Sequence, residues 1–284
     1  MSLDCPSSII LSHIQVGPLS AARQAGHATA ITSPDLGLSQ VEVALEPEGV
    51  RFPGGQWLSW EQIAAIAAHE TTCFVLEETT LRKAQAYSDE PDRFYSLMPT
   101  TGAPTVLIAG FPMHRIRGID PRQDTLKKIR ALGSLRGRVL DTTTGLGYTA
   151  IAAAKIATQV VTIELDPTTL ALARLNPWSR ALFHSLNIQQ IISDAFDGVP
   201  TLDDTAFCRI IHDPPTFQLA GELYSGAFYE QLFRVLRPGG RLFHYLATWR
   251  ARRGAVSRGA WCGACRLSGS SGSSAVRRHS GGGV

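Results

Sequence analysis

From residue 138 onward, short apolar runs alternate with amphipathic stretches. The apolar runs fall at 139–140, 159–163, 189–192, 208–211 and 241–246, and helical patterns lie at 149–157, 167–175 and 226–236. That alternation predicts a parallel sheet covered on both faces, an α/β, Rossmann-like doubly wound fold. Four of the five strands carry a polar residue at or just past the carboxyl end: Asp141, Glu164, Asp194 and the pair His212-Asp213. Open sheets of this class bind their ligands there.

The first 97 residues read differently, as a small, mostly β module. Strand-like alternation occupies 28–32, 40–45 and 50–52, and Pro53-Gly54-Gly55 signals a hairpin before 56–58. Ser59 is placed to cap a helix over 60–69, with Glu61 and Gln62 in its first turn. Further strands are expected at 73–76, 81–87 and 93–98, and a short helix at 18–24. No metal spacing, nucleophile elbow or repeat marks this module. Residues 98–137 form the expected connector: a loop at 99–104, a strand at 105–108, a loop at 111–115, and a helix from Pro121 to about 132. The chain thus divides as 1–97, 98–137, a ligand-binding domain at 138–247, and a tail at 248–284.

Composition narrows the class. At 44% hydrophobic and 18% charged, the 284 residues suit a soluble globular chain, and no apolar run reaches the roughly 18 residues of a membrane span. The N-terminus lacks a signal-peptide pattern, and five scattered cysteines argue for a reducing compartment, so a cytoplasmic protein is expected. The net charge of +3 includes seven Arg, unopposed by any acid, in residues 248–284, which leaves the preceding chain at −4. A nucleic-acid partner therefore does not follow from the pI. Between His114 and Arg138, eight Lys and Arg face two Asp. That stretch is either a solvated helix face or an anion-binding rim.

The candidate chemistry centres on Asp141-Thr-Thr-Thr-Gly145-Leu-Gly147. A strand, a small-residue turn and a helix bring a nucleotide-like ligand against backbone N–H groups, and glycines keep a Cβ out of the way. Glu164, 23 residues after Asp141 at the end of the next strand, is placed to accept ribose hydroxyls. Each feature also has a plainer reading: a tight turn needs glycines, Asp141 and Asp194 suit helix caps, and His212 suits a satisfied loop histidine.

These motifs together resemble the class I S-adenosylmethionine (SAM) dependent methyltransferases over roughly residues 120–247. Asp141-Thr-Thr-Thr-Gly-Leu-Gly-Tyr-Thr-Ala150 and His212-Asp-Pro-Pro-Thr-Phe217 resemble in particular an uncharacterised prokaryotic methyltransferase-like group with a similar N-terminal module. The resemblance implies SAM as cofactor, with Asp141, Gly145 and Gly147 around its methionine part. Thr143 stands where the family usually has its earliest glycine. Glu164 would take the ribose and Asp194 the adenine amino group. It further implies that Asp213-Pro214-Pro215 is a catalytic motif. A carboxylate and the Pro214 carbonyl, both pure acceptors, would hold two N–H bonds of an acceptor amine and aim its lone pair. Thr216 occupies the usual aromatic position and Phe217 follows, so Pro215, Thr216 and Phe217 are the candidate substrate residues. His212 is the alternative, a general base toward a hydroxyl acceptor.

Two competing activities share these residues. One is aminopropyl transfer of the spermidine-synthase type, which needs an acidic polyamine pocket that the basic 114–138 stretch does not suggest. The other is SAM binding without catalysis. The acceptor is left open among small molecule, nucleic acid and protein, and no metal is expected.

The tail has the wrong composition for the helix and strand pair this fold needs after its fifth strand. Residues 248–284 hold eight Gly, seven Ser and seven Arg, with no Lys, Ile, Phe or Tyr. A disordered tail, and a sheet lacking its last strands, is the expectation. A reading-frame slip after Tyr245-Leu246 is one origin; a natural basic tail is the other. Cys262-x-x-Cys265 has the spacing of half a zinc site, but no second pair lies nearby.

Overall fold

The computed structural model describes residues 8–246 and the backbone strand at 261–265. It divides into two compact units, one of Met1–Gln123 with Thr168–Ala181 and the other of Asp124–Pro167 with Leu182–Val284. The boundary falls inside the expected connector, and a later stretch of chain joins the first unit. Among the described residues, no helix is long and apolar enough to cross a membrane.

The first unit opens with strand β1 (Ser8–Leu11) and helix α1 (His13–Gln24). This helix begins five residues ahead of the expected 18–24. Ser12 and Gln15 form a capping box that sets the start, and Pro18 lies inside the helix. Strands β2 (Thr29–Thr32), β3 (Val41–Leu45), β4 (Gly49–Arg51) and β5 (Trp57–Ser59) form one antiparallel sheet. The β4–β5 hairpin turns at the expected glycines, with Gly55 at φ +87°. Helix α2 (Trp60–Ala67) follows, capped by Ser59 and Gln62.

Next come β6 (Phe74–Glu77), β7 (Thr80–Lys83), β8 (Gln85–Ser88), β9 (Arg93–Met98), β10 (Thr105–Ile108) and β11 (Phe111–Pro112). The single strand expected at 81–87 is two. At Ala84 the chain leaves its pairing with β6 and takes up pairing with β9. Ala84 N–H donates to Cys73 O at 2.8 Å, and its carbonyl accepts from Leu97 N–H at 2.9 Å. The loop expected from 111 instead starts as β11, hairpinned on β10 through Ala109 and Gly110, both at positive φ. Leu11, Val16, Leu19, Val43, Leu58, Ile63 and Leu76 form the core shared by the helices and the strands up to β6.

The second unit carries the alternating half. After α3 (Pro121–Leu132) come β12 (Arg138–Asp141), α4 (Tyr148–Ala154), β13 (Gln159–Glu164), α5 (Pro167–Leu175), which belongs to the first unit from Thr168 on, α6 (Arg180–His184), β14 (Ile188–Ile192), α7 (Ala195–Gly198), β15 (Phe207–His212), α8 (Gly226–Val235), β16 (Leu236–Leu246) and β17 (Trp261–Cys265). The sheet order is β14-β13-β12-β15-β16-β17, the first five parallel. This is the Rossmann-like doubly wound sheet the pattern predicts. The chain starts at the central β12, steps outward to β14, then crosses to β15, so the switch point lies between β12 and β15. Val161, Ile163, Phe207, Ile210, Phe228, Leu232 and Val235 pack as its core.

Two expectations about the last strands change. Arg237-Pro-Gly-Gly240, expected as a helix stop before a strand, lies within β16 as a bulge. Leu236 pairs with Phe207 and Arg241 with Arg209, and Gly239 at φ +73° lets the extra residues loop out. The sheet also does not end at five strands: β17 pairs antiparallel with β16, Leu242 opposite Cys265 and Leu246 opposite Trp261. Edge pairing uses backbone donors and acceptors, which composition does not reveal. The remaining tail expectations fall outside the described residues.

Candidate functional site

The carboxyl ends of β12, β13 and β15 converge through three consecutive threonine hydroxyls. Thr142 Oγ1 lies 2.7 Å from His212 Nδ1, Thr143 Oγ1 donates to Asp213 O at 2.9 Å, and Thr144 Oγ1 meets Thr162 Oγ1 at 2.7 Å. The strand-end backbones add Thr142 N–H to Ile211 O at 3.0 Å and Thr144 N–H to Ile163 O at 2.8 Å. Thr143, the departure from the usual glycine, is thus a tie to the Asp213 turn.

Asp141 ends β12 with no exposed surface. Its Oδ2 accepts from Thr149 Oγ1 at 2.8 Å and Thr162 Oγ1 at 3.2 Å, while Oδ1 is buried without a hydrogen-bond partner among the described residues. Burial pushes its pKa up to about 7 against those hydroxyls.

The turn that follows uses its two glycines for different purposes. Gly147, at φ +77°, begins α4, and a Cβ there would sit 2.7 Å from Leu182 Cδ2. Its bareness answers a packing requirement. Gly145, at φ +53°, faces open space: a Cβ would meet nothing within 4 Å. Its N–H donates to Glu164 Oε2 at 2.7 Å, and Glu164 Oε1 accepts from Asp166 N–H at 3.2 Å. Burial raises the Glu164 pKa to about 7, opposed by these N–H groups.

Asp194 lies past β14 and caps α7 by accepting Phe196 N–H at 2.8 Å, the plainer of its two readings. Phe217 is 67% exposed and edge-on to Tyr224 at 5.7 Å; Thr216 is exposed, and Pro215 O accepts the Tyr224 hydroxyl at 2.7 Å. Pro214 is buried.

His212 corrects an expectation. It is fully buried, with Nε2 3.0 Å from Leu223 O and Nδ1 against Thr142. A carbonyl only accepts, so the network places the proton on Nε2 and leaves Nδ1 to accept from Thr142. Burial, then the nearby His244, pushes its pKa down to about 3. With both nitrogens engaged and no surface, it is a neutral strut and not a base open to an acceptor. His244 lies beside it, tilted by 40° at 4.5 Å between ring centroids, and shares a 2.7 Å hydrogen bond with Tyr229.

Sequence reasoning missed one residue at this site. Lys128, counted there within a basic helix face, is buried, with Nζ 2.5 Å from Asp213 Oδ2 and 3.0 Å from Asp124 Oδ2. It also lies 4.7 Å from the Tyr245 ring centroid. The i,i+4 pair Asp124/Lys128 was the available signal. Burial works against the Lys128 charge, but Asp213 and Asp124 outweigh it and raise its pKa. For Asp213, burial raises the pKa and Lys128 opposes it, with a net rise.

No protein-family profile matches the chain. Among solved structures, a spermidine synthase bound to the transition-state analogue AdoDATO superposes with a TM-score of 0.50 at 17% identity, over 57% of this chain and 56% of that one. Trm5b of Pyrococcus abyssi is 22% identical over 53% of this chain and 40% of its own, with a TM-score of 0.36, too low to carry an argument. The chain thus spans little more than half of the solved structure it superposes on best of these two, and likeness at such identity concerns the fold alone. The relative in Methanocaldococcus jannaschii is another matter: uncharacterized protein MJ1233 is 43% identical over 202 residues, 71% of this chain and 68% of its own length. At that identity and coverage, the chain belongs to the family of MJ1233.

Proposed function

We propose that this chain is a SAM-dependent methyltransferase. Asp141, Thr143, Gly145, Gly147 and Glu164 form or support the cofactor turn, Asp194 serves the adenine, and Asp213 with Pro214 receives the acceptor. The observation that carries this reading is the open side of Gly145, whose N–H is held by Glu164 at the carboxyl end of the adjacent parallel strand. The unpartnered Asp141 Oδ1 at the foot of the same turn supports it, because a buried acceptor without a donor suits a ligand that brings one. Cofactor contacts fall to Glu164, the Gly145 backbone and the remaining oxygen of Asp141.

When bound, SAM supplies an electrophilic sulfonium methyl group. The chain's own task is then orientation. Asp213 Oδ1 and the Pro214 carbonyl accept hydrogen bonds from the acceptor nitrogen and hold its lone pair in line, a contribution of positioning with no covalent step by the protein. Aminopropyl transfer is less well supported: a cationic polyamine would have to share Asp213 with an ammonium group already 2.5 Å away.

Calorimetric titration of SAM into the full chain, beside Asp141→Ala and Glu164→Ala, tests the reading. Micromolar binding by the wild type, lost in both variants, is the expected result. Absence of binding by a demonstrably folded protein would defeat it, and tighter binding of decarboxylated SAM would favour aminopropyl transfer.

A further inference from the structure

Asp213 and Lys128 are 85 residues apart in sequence, yet their charged groups meet at 2.5 Å. Lys128 keeps only 8% of its side-chain surface exposed, Asp124 9%, and Asp213 21%. The cation is therefore enclosed between two carboxylates, and of the three groups Asp213 is the one that reaches out. Lys128 contacts Oδ2 of Asp213, and among the described residues no hydrogen bond is made to Oδ1. The backbone of the same residue is fixed separately, its carbonyl held by Thr143 Oγ1. Side chain and main chain of Asp213 are thus tied from two different elements.

A carboxylate has two oxygens and rotates about χ2 unless one is held. An ammonium with excellent geometry fixes that rotation and keeps the carboxylate ionised despite partial burial. We propose that Lys128 is a positioning residue for Asp213: with Asp124 it pins Oδ2, keeps the carboxylate charged, and leaves Oδ1 as the single carboxylate oxygen offered to an acceptor. Asp124 holds the same ammonium at 3.0 Å, so the triad carries one net negative charge. That arrangement suits an acceptor presenting one neutral N–H or O–H to Asp213. The inference rests on the transferase reading for what Oδ1 meets, but the ion triad itself is independent of any cofactor.

The charged and titratable groups acting on Asp213 are Lys128, Asp124, Asp141 and Tyr224, beside its neutral neighbour His212. Two of these are separable by substitution with opposite signs. Removing Lys128 deprives Asp213 of its cation, so its proton is held to higher pH. Removing Asp124 takes away a like charge, so its proton leaves at lower pH. A residue that mattered only for packing would move both variants the same way, or neither.

The test is a carbon-13 NMR titration of the full chain labelled at the aspartate carboxyl carbon, with Asp213 assigned by the signal missing in Asp213→Asn. Lys128→Met is expected to raise the Asp213 midpoint by about one pH unit or more, Asp124→Asn to lower it, and Lys128→Arg to hold it near wild type. An unmoved midpoint in Lys128→Met, or shifts of the same sign in the Met and Asn variants, would overturn the proposal. If Lys128→Met does not fold, Asp124→Asn decides: a fall supports the triad, and no change or a rise overturns it. No cofactor enters the titration, so failure to bind SAM would strike the transferase reading and leave this result standing.

Discussion

Thr143 Oγ1 donates to the main-chain carbonyl of Asp213 at 2.9 Å, across 70 residues of sequence. One hydroxyl thus joins the turn after the first parallel strand to the Asp-Pro-Pro turn after the fourth. Replacing Thr143 with Val, which keeps the shape and removes the donor, should cost about 1 kcal/mol of stability, and Thr143→Ser should restore most of it. Urea unfolding of the three proteins measures this. A Val variant as stable as wild type would show that water replaces the tie.

The two turn glycines should respond differently. Gly147→Ala places a Cβ 2.7 Å from Leu182 Cδ2 at φ +77°, and should destabilise the chain by about 1–3 kcal/mol, partly recovered by Leu182→Ala in the same protein. Gly145→Ala meets open space, so only the left-handed backbone resists it, at about 1–2 kcal/mol. SAM affinity should nevertheless fall most in Gly145→Ala, where the methyl group occupies the open side. Calorimetry beside denaturation separates the two effects.

The pH dependence of stability should show two opposed limbs. His212 and His244 are pushed down to about 3 and 4, chiefly by burial, so the unfolded chain binds protons that the fold refuses. Their contribution is complete above about pH 6.5 and is lost as pH falls, on the order of a few kcal/mol in all. Asp141 and Glu164 run the other way. Raised to about 7, they hold protons in the fold that the unfolded chain releases, so their contribution is complete below about pH 4 and is lost as pH rises toward 7. His244→Gln should flatten the acid limb and Asp141→Asn the neutral one, read from urea midpoints at intervals from pH 4 to 8. Unchanged slopes in either variant would contradict the burial that the structure gives these groups.

A cap in the first unit offers a separate test. Ser12 Oγ accepts from Ile14 N–H at 3.2 Å and donates to Gln15 Oε1 at 2.7 Å, in a fully buried position. Ser12→Ala should cost about 1–2 kcal/mol, and Ser12→Thr much less. Thermal unfolding of the pair is the measurement.

The second unit was legible because its signals are local. Asp141, Gly145 and Glu164 sit at fixed offsets around one strand–turn–helix and the strand after it, and the parallel sheet follows from alternation. The Asp-Pro-Pro turn stood out only through the resemblance to the methyltransferase family. What escaped depends on partners distant in sequence. Lys128 looks solvated until Asp213 is brought beside it from 85 residues away. His212 looks like a base until Leu223 O and Thr142 occupy its ring. In the first unit, Ser8–Leu11 becomes a strand by pairing with Phe74–Glu77, which lies more than 60 residues on. Ala84 carries no turn signal, because the break there is an exchange of pairing partners without a change of direction.

The interleaving of the two units bears on how the protein is made. Trp178 Nε1 donates to Leu36 O at 3.1 Å, and the Arg122 guanidinium lies 5.5 Å from the Trp178 ring centroid, so Thr168–Ala181 helps complete a unit begun at the N-terminus. Synthesis runs from that end, and early domains ordinarily close while later ones are still being added. Here the first unit must wait for residues that follow the first two parallel strands, so a nascent chain holds both halves incomplete together until that segment leaves the ribosome.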